Sequence, residues 1–140
     1  VEDAVLATRA AIEEGLLPGG GRALIDAIPA LDRVQLDDPD EQIGVRILAK
    51  ALEAPLRRLA KNGGWRPSAI VAKVKQAPPG HGLDAVSGEI IDLWEAGIVD
   101  PAKVERVALE SAVSAAVMAL TTDVLVHRPN SHKYDISVNP

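Results

Sequence analysis

The run Gly19-Gly20-Gly21 stands just ahead of the apolar positions Ala23, Leu24, Ala27 and Ile28. It offers main-chain N–H groups that no side chain shields, the means by which glycine loops approach anionic ligands. The run lacks the terminal Lys-Ser/Thr of a phosphate-gripping loop, and glycine runs also serve simply as turns. Asp3 falls in the first turn of a helix, where the macrodipole favours a carboxylate, whether it is a solvated acid or a working one. Asp100 precedes Pro101, the pairing of an N-cap with an N1 proline. Cysteine is absent, which removes disulfides and thiolate metal sites. His81, His127 and His132 have no ligand-like spacing, so no metal is expected on this chain. Arg57, Arg58 and Lys61 form the solvated or C-terminal face of a helix.

These residues need elements to hold them. Val1, Val5, Thr8 and Ile12 recur at helical steps, and Gly15 is a natural stop for that helix. A short helix follows the glycine run. Asp38, Pro39 and Glu41 make a capping-box-like start for a long helix through Ile43, Ile47, Leu48, Leu52, Leu56 and Leu59, with a kink expected at Pro55. Arg66-Pro67 opens another helix, through Ile70, Val71 and Val74. The breaker cluster Pro78-Pro79-Gly80-His81-Gly82 predicts a loop or small β-hairpin near 76–87. Ile90, Ile91, Leu93 and Trp94 read as a short helix ended by Gly97, and Asp100-Pro101 begins the last long helix. A short strand is expected near 123–126.

Apolar residues make up 47% of the chain, but only Trp65, Trp94 and Tyr134 are aromatic. Small aliphatic side chains must therefore build the core, which suits closely packed helices, and the fold class is mainly α. The formal net charge of −5 is spread among interspersed acids and bases, so neither nucleic acid nor a membrane is an expected partner. The sequence opens at Val1 without an initiator methionine or targeting segment. It is expected to be an excised piece of a soluble, cytoplasmic protein.

Three blocks resemble group I chaperonins, the GroEL or 60 kDa chaperonin family. They are VEDAVLATRAAIEEGLLPGGG at Val1 to Gly21, DEQIGVRILAKALEAPLR at Asp40 to Arg57, and EAGIVDPAKVERVALESAVSAAVMALTTD at Glu95 to Asp123. They occur in family order and spacing. The resemblance implies the C-terminal part of a chaperonin subunit: residues 1–13 as the C-terminal helix of the intermediate domain, 14–128 as the C-terminal half of the equatorial, ATP-binding domain, and 129–140 as a tail. It further implies a homo-oligomer of two stacked seven-membered rings, with a co-chaperonin and unfolded clients bound through an apical domain that this chain lacks. ATP with Mg2+ is the implied cofactor, with the metal ligand and phosphate loop outside the chain. The isolated chain is accordingly expected to show no ATPase.

Carried over residue by residue, the resemblance makes Asp3 the catalytic carboxylate that orients the water attacking the terminal phosphate, a role suited to phosphoryl transfer. Gly20 is implied as the bare-backbone approach to the sugar and base side of the nucleotide. Ile98 packs on the adenine, and Asp100 accepts from the ribose hydroxyls, a vicinal diol that a carboxylate serves well. Asp84-Ala85-Val86 falls where the family commonly has Asn-Ala-Ala around the base. An ionised Asp can accept from the adenine amino group but cannot donate to a ring nitrogen. Arg22 replaces a small or apolar residue, and the tail lacks the family's Gly-Gly-Met repeat. These departures leave a second reading: a divergent chaperonin paralogue with a mainly structural role in assembly.

Overall fold

The computed structural model describes residues 2–124 and 126. Six helices and four three-residue strands follow in the order α1 (Glu2–Glu14), β1 (Leu16–Pro18), α2 (Arg22–Leu31), α3 (Pro39–Ala51), α4 (Ala54–Asn62), α5 (Pro67–Gln76), β2 (His81–Leu83), β3 (Ile90–Asp92), β4 (Val99–Pro101) and α6 (Ala102–Leu120). The fold is mainly α, as composition requires. One compact unit runs to Val107 and a second begins at Ala108. No helix among the described residues is long and apolar enough to cross a membrane. The tail at 129–140 lies outside the described residues.

Local chemistry accounts for most helix ends. Asp38 has extended dihedrals and its carboxylate accepts from the Asp40 N–H at 2.7 Å, with Pro39 as the first helical residue of α3. Pro67 is likewise the first residue of α5, after an extended Arg66 that makes no side-chain cap. The long helix expected through Pro55 is broken into two, with Leu52 and Glu53 between α3 and α4. Proline supplies no N–H for the Ala51 carbonyl, and its ring crowds that carbonyl. At the other end of α4 the Trp65 N–H reaches back to the Ala60 carbonyl at 2.8 Å and the Gly64 N–H to Lys61 at 3.1 Å, a Schellman-type stop.

The core of the first unit gathers Ile25 of α2, Leu56 and Ala60 of α4, Ile70, Val71 and Val74 of α5, and Leu83 of β2, with Ile28 and Ile90 packed against it. Neither tryptophan joins it: Trp65 is 36% and Trp94 50% exposed. The apolar face of α1 is also exposed, with Val5 and Ile12 open to solvent, and neither α3 nor α6 has a buried residue.

Three expectations are corrected. The segment Ile90 to Trp94 is not a helix. Its first residues form β3, antiparallel to β2 with Leu83 opposite Ile90, and Asp92 then caps a turn by accepting from the Trp94 and Glu95 N–H groups. A single helical turn before Gly97 would bear the full cost of nucleation, whereas the hairpin has a partner strand. The hairpin expected near 76–87 accordingly spans 81–92. No strand forms at Asp123, Val124 or Val126, and Leu125 lies outside the described residues.

Candidate functional site

The glycine turn and β4 meet at the end of α1. Gly15, at φ +87°, ends α1 by donating to the Ala11 carbonyl at 2.9 Å, and β1 pairs antiparallel with β4, Leu17 opposite Asp100. Beyond β1 the chain turns. The Gly19 N–H donates to the Ile98 carbonyl at 2.9 Å, and the Gly20 N–H donates to Asp100 Oδ2 at 3.1 Å. A Cβ on Gly19 would stand 3.1 Å from both Asp100 Oδ2 and the Ile98 carbonyl oxygen, so a side chain there would press the turn away from Ile98 and Asp100 by a few tenths of an ångström. Gly20, at φ +64°, has only the Leu83 carbonyl oxygen within reach of a notional Cβ, at 3.9 Å, so one face of the turn stays open.

Asp100 is therefore not the cap of the last helix. It lies within β4, Pro101 is the last strand residue, opposite Leu16, and α6 begins at Ala102. Proline tolerates this place because its missing N–H is not needed at a sheet edge. The carboxylate that was expected to cap α6 instead takes the Gly20 amide. Beside it stands Glu105, a neighbour that sequence reasoning missed. Burial, then the charge of Asp100 and a hydrogen bond to it, push the Glu105 carboxyl above its ordinary range. Two acids five residues apart at a strand-to-helix junction give no periodic signal by which to find them.

Asp84, Ala85 and Val86 form the loop between β2 and β3. Asp84 Oδ1 accepts from the Val86 N–H at 2.9 Å and Oδ2 from the Ser87 hydroxyl at 2.7 Å. The Ser87 hydroxyl, with the backbone bond from Val86 behind it, holds this carboxyl below its usual range. Both oxygens are thus engaged by the residue's own turn, while Val86 is fully out in solvent. The loop is tied to the body by Trp65, whose indole N–H donates to the Ala85 carbonyl at 3.3 Å.

Gly20 and Asp100 are brought into direct contact, the Ile98 carbonyl is held by the neighbouring Gly19 amide, and Leu83 brings the start of the 84–86 loop to the glycine turn. Asp3 is not brought to them. It is exposed in the first turn of α1, roughly 16 Å along the helix axis from Glu14 at 1.5 Å per residue. The C-terminal end of α1, in contrast, is fastened beside the site: Glu13 pairs with Lys103, and Glu14 pairs with Arg106 at 2.6 Å, which lowers the Glu14 pKa.

Arg22, where the resemblance implies a small or apolar residue, has a structural place. It is 5% exposed, and its guanidinium donates to the Val74 and His81 carbonyls at 2.7 Å each and clasps Asp26. One planar fork thereby joins α2, the end of α5 and the start of β2.

Asp100 presents an acceptor beside an open glycine turn, whereas no lysine or hydroxyl follows Gly21 to grip a triphosphate. Among the described residues no three His, Asp or Glu side chains gather as a metal site.

Residues 1–130 match the TCP-1/cpn60 chaperonin family. In three dimensions the chain is similar to the open-state monomer of a group II chaperonin from Methanococcoides burtonii, with a TM-score of 0.68 and 26% sequence identity. That match covers 76% of this chain and 28% of the other, so the sequence spans well under half of that chain's length. With the match extending over nearly its whole length, this chain belongs to the TCP-1/cpn60 chaperonin family.

Proposed function

We propose that the chain is the C-terminal part of a group I chaperonin subunit, an ATP-driven protein-folding machine, and supplies the sugar-side half of its nucleotide site. The observation that carries this reading is the contact of Gly20 with Asp100 on β4, in a chain of the chaperonin family. The group I assignment rests on the three sequence blocks. Residues 1–13 belong in this reading to the intermediate domain, and 14–128 to the equatorial domain. The phosphate loop, the Mg2+ ligand and the client-binding apical surface reside elsewhere in the subunit. Two seven-membered rings, a co-chaperonin and a cytoplasmic setting complete the proposal.

ATP supplies a phosphoanhydride whose cleavage releases free energy for the folding cycle. This chain's contribution is positional. Asp100 accepts from the ribose hydroxyls, Gly20 gives them unobstructed approach, and Ile98 offers an apolar surface to the base. Asp3, some distance up α1, becomes effective when a tilt of that helix carries its carboxylate to the attacking water, which it orients in line. Calorimetric titration of the full-length subunit with Mg-ATP, together with phosphate release, tests the proposal. Saturable binding that Asp100→Ala weakens is expected, and absence of binding by the assembled wild-type protein would refute it.

The engagement of Asp84 by its own turn favours a second reading, a divergent paralogue with altered nucleotide use and a mainly structural role in assembly. In that case the assembled protein forms rings but turns over no ATP.

A further inference from the structure

The exposed Trp65 indole is wedged between the end of α4 and the β2–β3 loop. A Cβ on Gly88 would lie 2.4 to 2.6 Å from its Cζ2, Cε2 and Cη2, so the ring lies flat against bare backbone there. A Cβ on Gly63 would lie 2.8 Å from its Cδ1, so the same ring leans on the stop of α4. Its N–H donates to the Ala85 carbonyl. A residue that is 36% exposed, outside the core, yet fitted against two glycines and one loop carbonyl is placed to hold that loop, not to fill the interior.

What it holds matters to the proposed site. The 84–88 loop starts one residue beyond Leu83, whose carbonyl lies next to Gly20. Within the loop the Val86 amide is donated to Asp84, and so is the Gly88 amide, to the Asp84 carbonyl at 2.8 Å. The Asp84 carboxylate is likewise spent. The Ala85 N–H and the Val86 carbonyl are what remain for a nucleobase, and backbone groups discriminate between bases only if the loop is held in one conformation.

We infer that Trp65 is a positioning residue: it clamps the 84–88 loop so that the loop's backbone reads the base of the bound nucleotide. The inference rests on the nucleotide-site reading above. It distinguishes the purine through its edge, leaving the phosphates to the rest of the subunit. Trp65 itself touches no ligand.

The test uses the full-length assembled subunit and compares ADP, GDP and tripolyphosphate by calorimetry. Trp65→Ala is expected to weaken ADP about tenfold, to bring ADP and GDP affinities within about threefold of each other, and to leave tripolyphosphate binding unchanged. Trp65→Phe, which keeps the flat ring against Gly88 but loses the N–H, is expected to stay nearer wild type. Amide exchange at Val86 and Gly88 in the Trp65→Ala protein without nucleotide should accelerate. Unchanged ADP preference, or an equal loss for all three ligands, overturns the clamp while the nucleotide site stands. A wild-type subunit that binds no ADP overturns both.

Discussion

Gly20 and Asp100, 80 residues apart in the sequence, are joined by a hydrogen bond of 3.1 Å from backbone amide to carboxylate. The bond fixes the glycine turn against β4, and Glu105 shares the same carboxylate through a hydrogen bond. Asp100→Ala should leave the part-buried Gly20 amide unpaired and cost about 1–3 kcal/mol in urea unfolding. Asp100→Asn retains an acceptor and should recover most of that stability, while losing affinity for the nucleotide because the charge-assisted bond is gone. Equal affinity in Asn and wild-type proteins would reduce Asp100 to a structural role.

Asp3 is exposed and makes no contact with the Gly20–Asp100 junction, so its replacement should not disturb binding. In the full-length subunit, Asp3→Asn should lower the steady-state rate of phosphate release by about 100-fold or more while the ATP dissociation constant stays within threefold, as for a group that acts on the water alone. Rates equal to wild type would remove Asp3 from catalysis.

Asp84→Asn should be nearly silent. An asparagine oxygen accepts from the Val86 amide as the carboxylate does, and its NH2 can donate to the Ser87 hydroxyl. Thermal midpoint and ADP affinity are both expected close to wild type. A marked loss of affinity in a stable protein would show that the carboxylate touches the ligand after all.

Arg22 ties three elements at once, so its loss should be among the most costly in the chain. Arg22→Met leaves the Val74 and His81 carbonyls without their donor and Asp26 without its partner, for about 3–5 kcal/mol. Arg22→Lys should rescue little, since an ammonium cannot span both carbonyls and the carboxylate. Denaturant midpoints of the two variants decide the matter.

Two acids give opposite pH dependences. Glu53, 8% exposed, is bonded by Lys75 and Arg57 at 2.7 Å each, and these bonds lower its pKa. Its contribution is present above the ordinary value of 4.5 and is lost as pH falls through the folded-state value. The Glu105 pKa is raised, so the folded state holds that proton more tightly. Its contribution is complete below 4.5 and is lost as pH rises through the folded-state value. Unfolding free energies measured from pH 4 to 7 should therefore rise more steeply with pH in Glu105→Gln than in wild type, and less steeply in Glu53→Gln. Parallel curves would contradict the pairing of Asp100 with Glu105.

Much of the fold was legible because its signals are local. Asp38 before Pro39, Arg66 before Pro67 and Gly15 after α1 declare helix ends through bonds within a few residues. Pro55 announced a kink by the same logic, but not that the long helix would divide into α3 and α4. The β1–β4 pairing was not legible, because three-residue strands have no measurable period and two of the six residues are prolines. Asp100 was misjudged for a related reason: the local competitor, an N-cap, was visible, while its actual partner Gly20 lies 80 positions away. Ile90 to Trp94 went the same way, an apolar run equally suited to a helical turn until a partner strand decides. The engagement of Asp84 by Val86 and Ser87 depends on a turn geometry that spacing does not reveal.

The seam between β1 and β4 sets an order of events. Closing a loop of about 80 residues costs roughly 4 kcal/mol in chain entropy, more than a three-residue ladder returns on its own. The seam is therefore expected to close only after α2, α4 and α5 have drawn its two edges together, and to be the first part to come apart. Asp100 meets Gly20 only across that seam. In the proposed reading the acceptor for the sugar is thus complete only once that seam has closed, so a half-folded subunit would hold no nucleotide there.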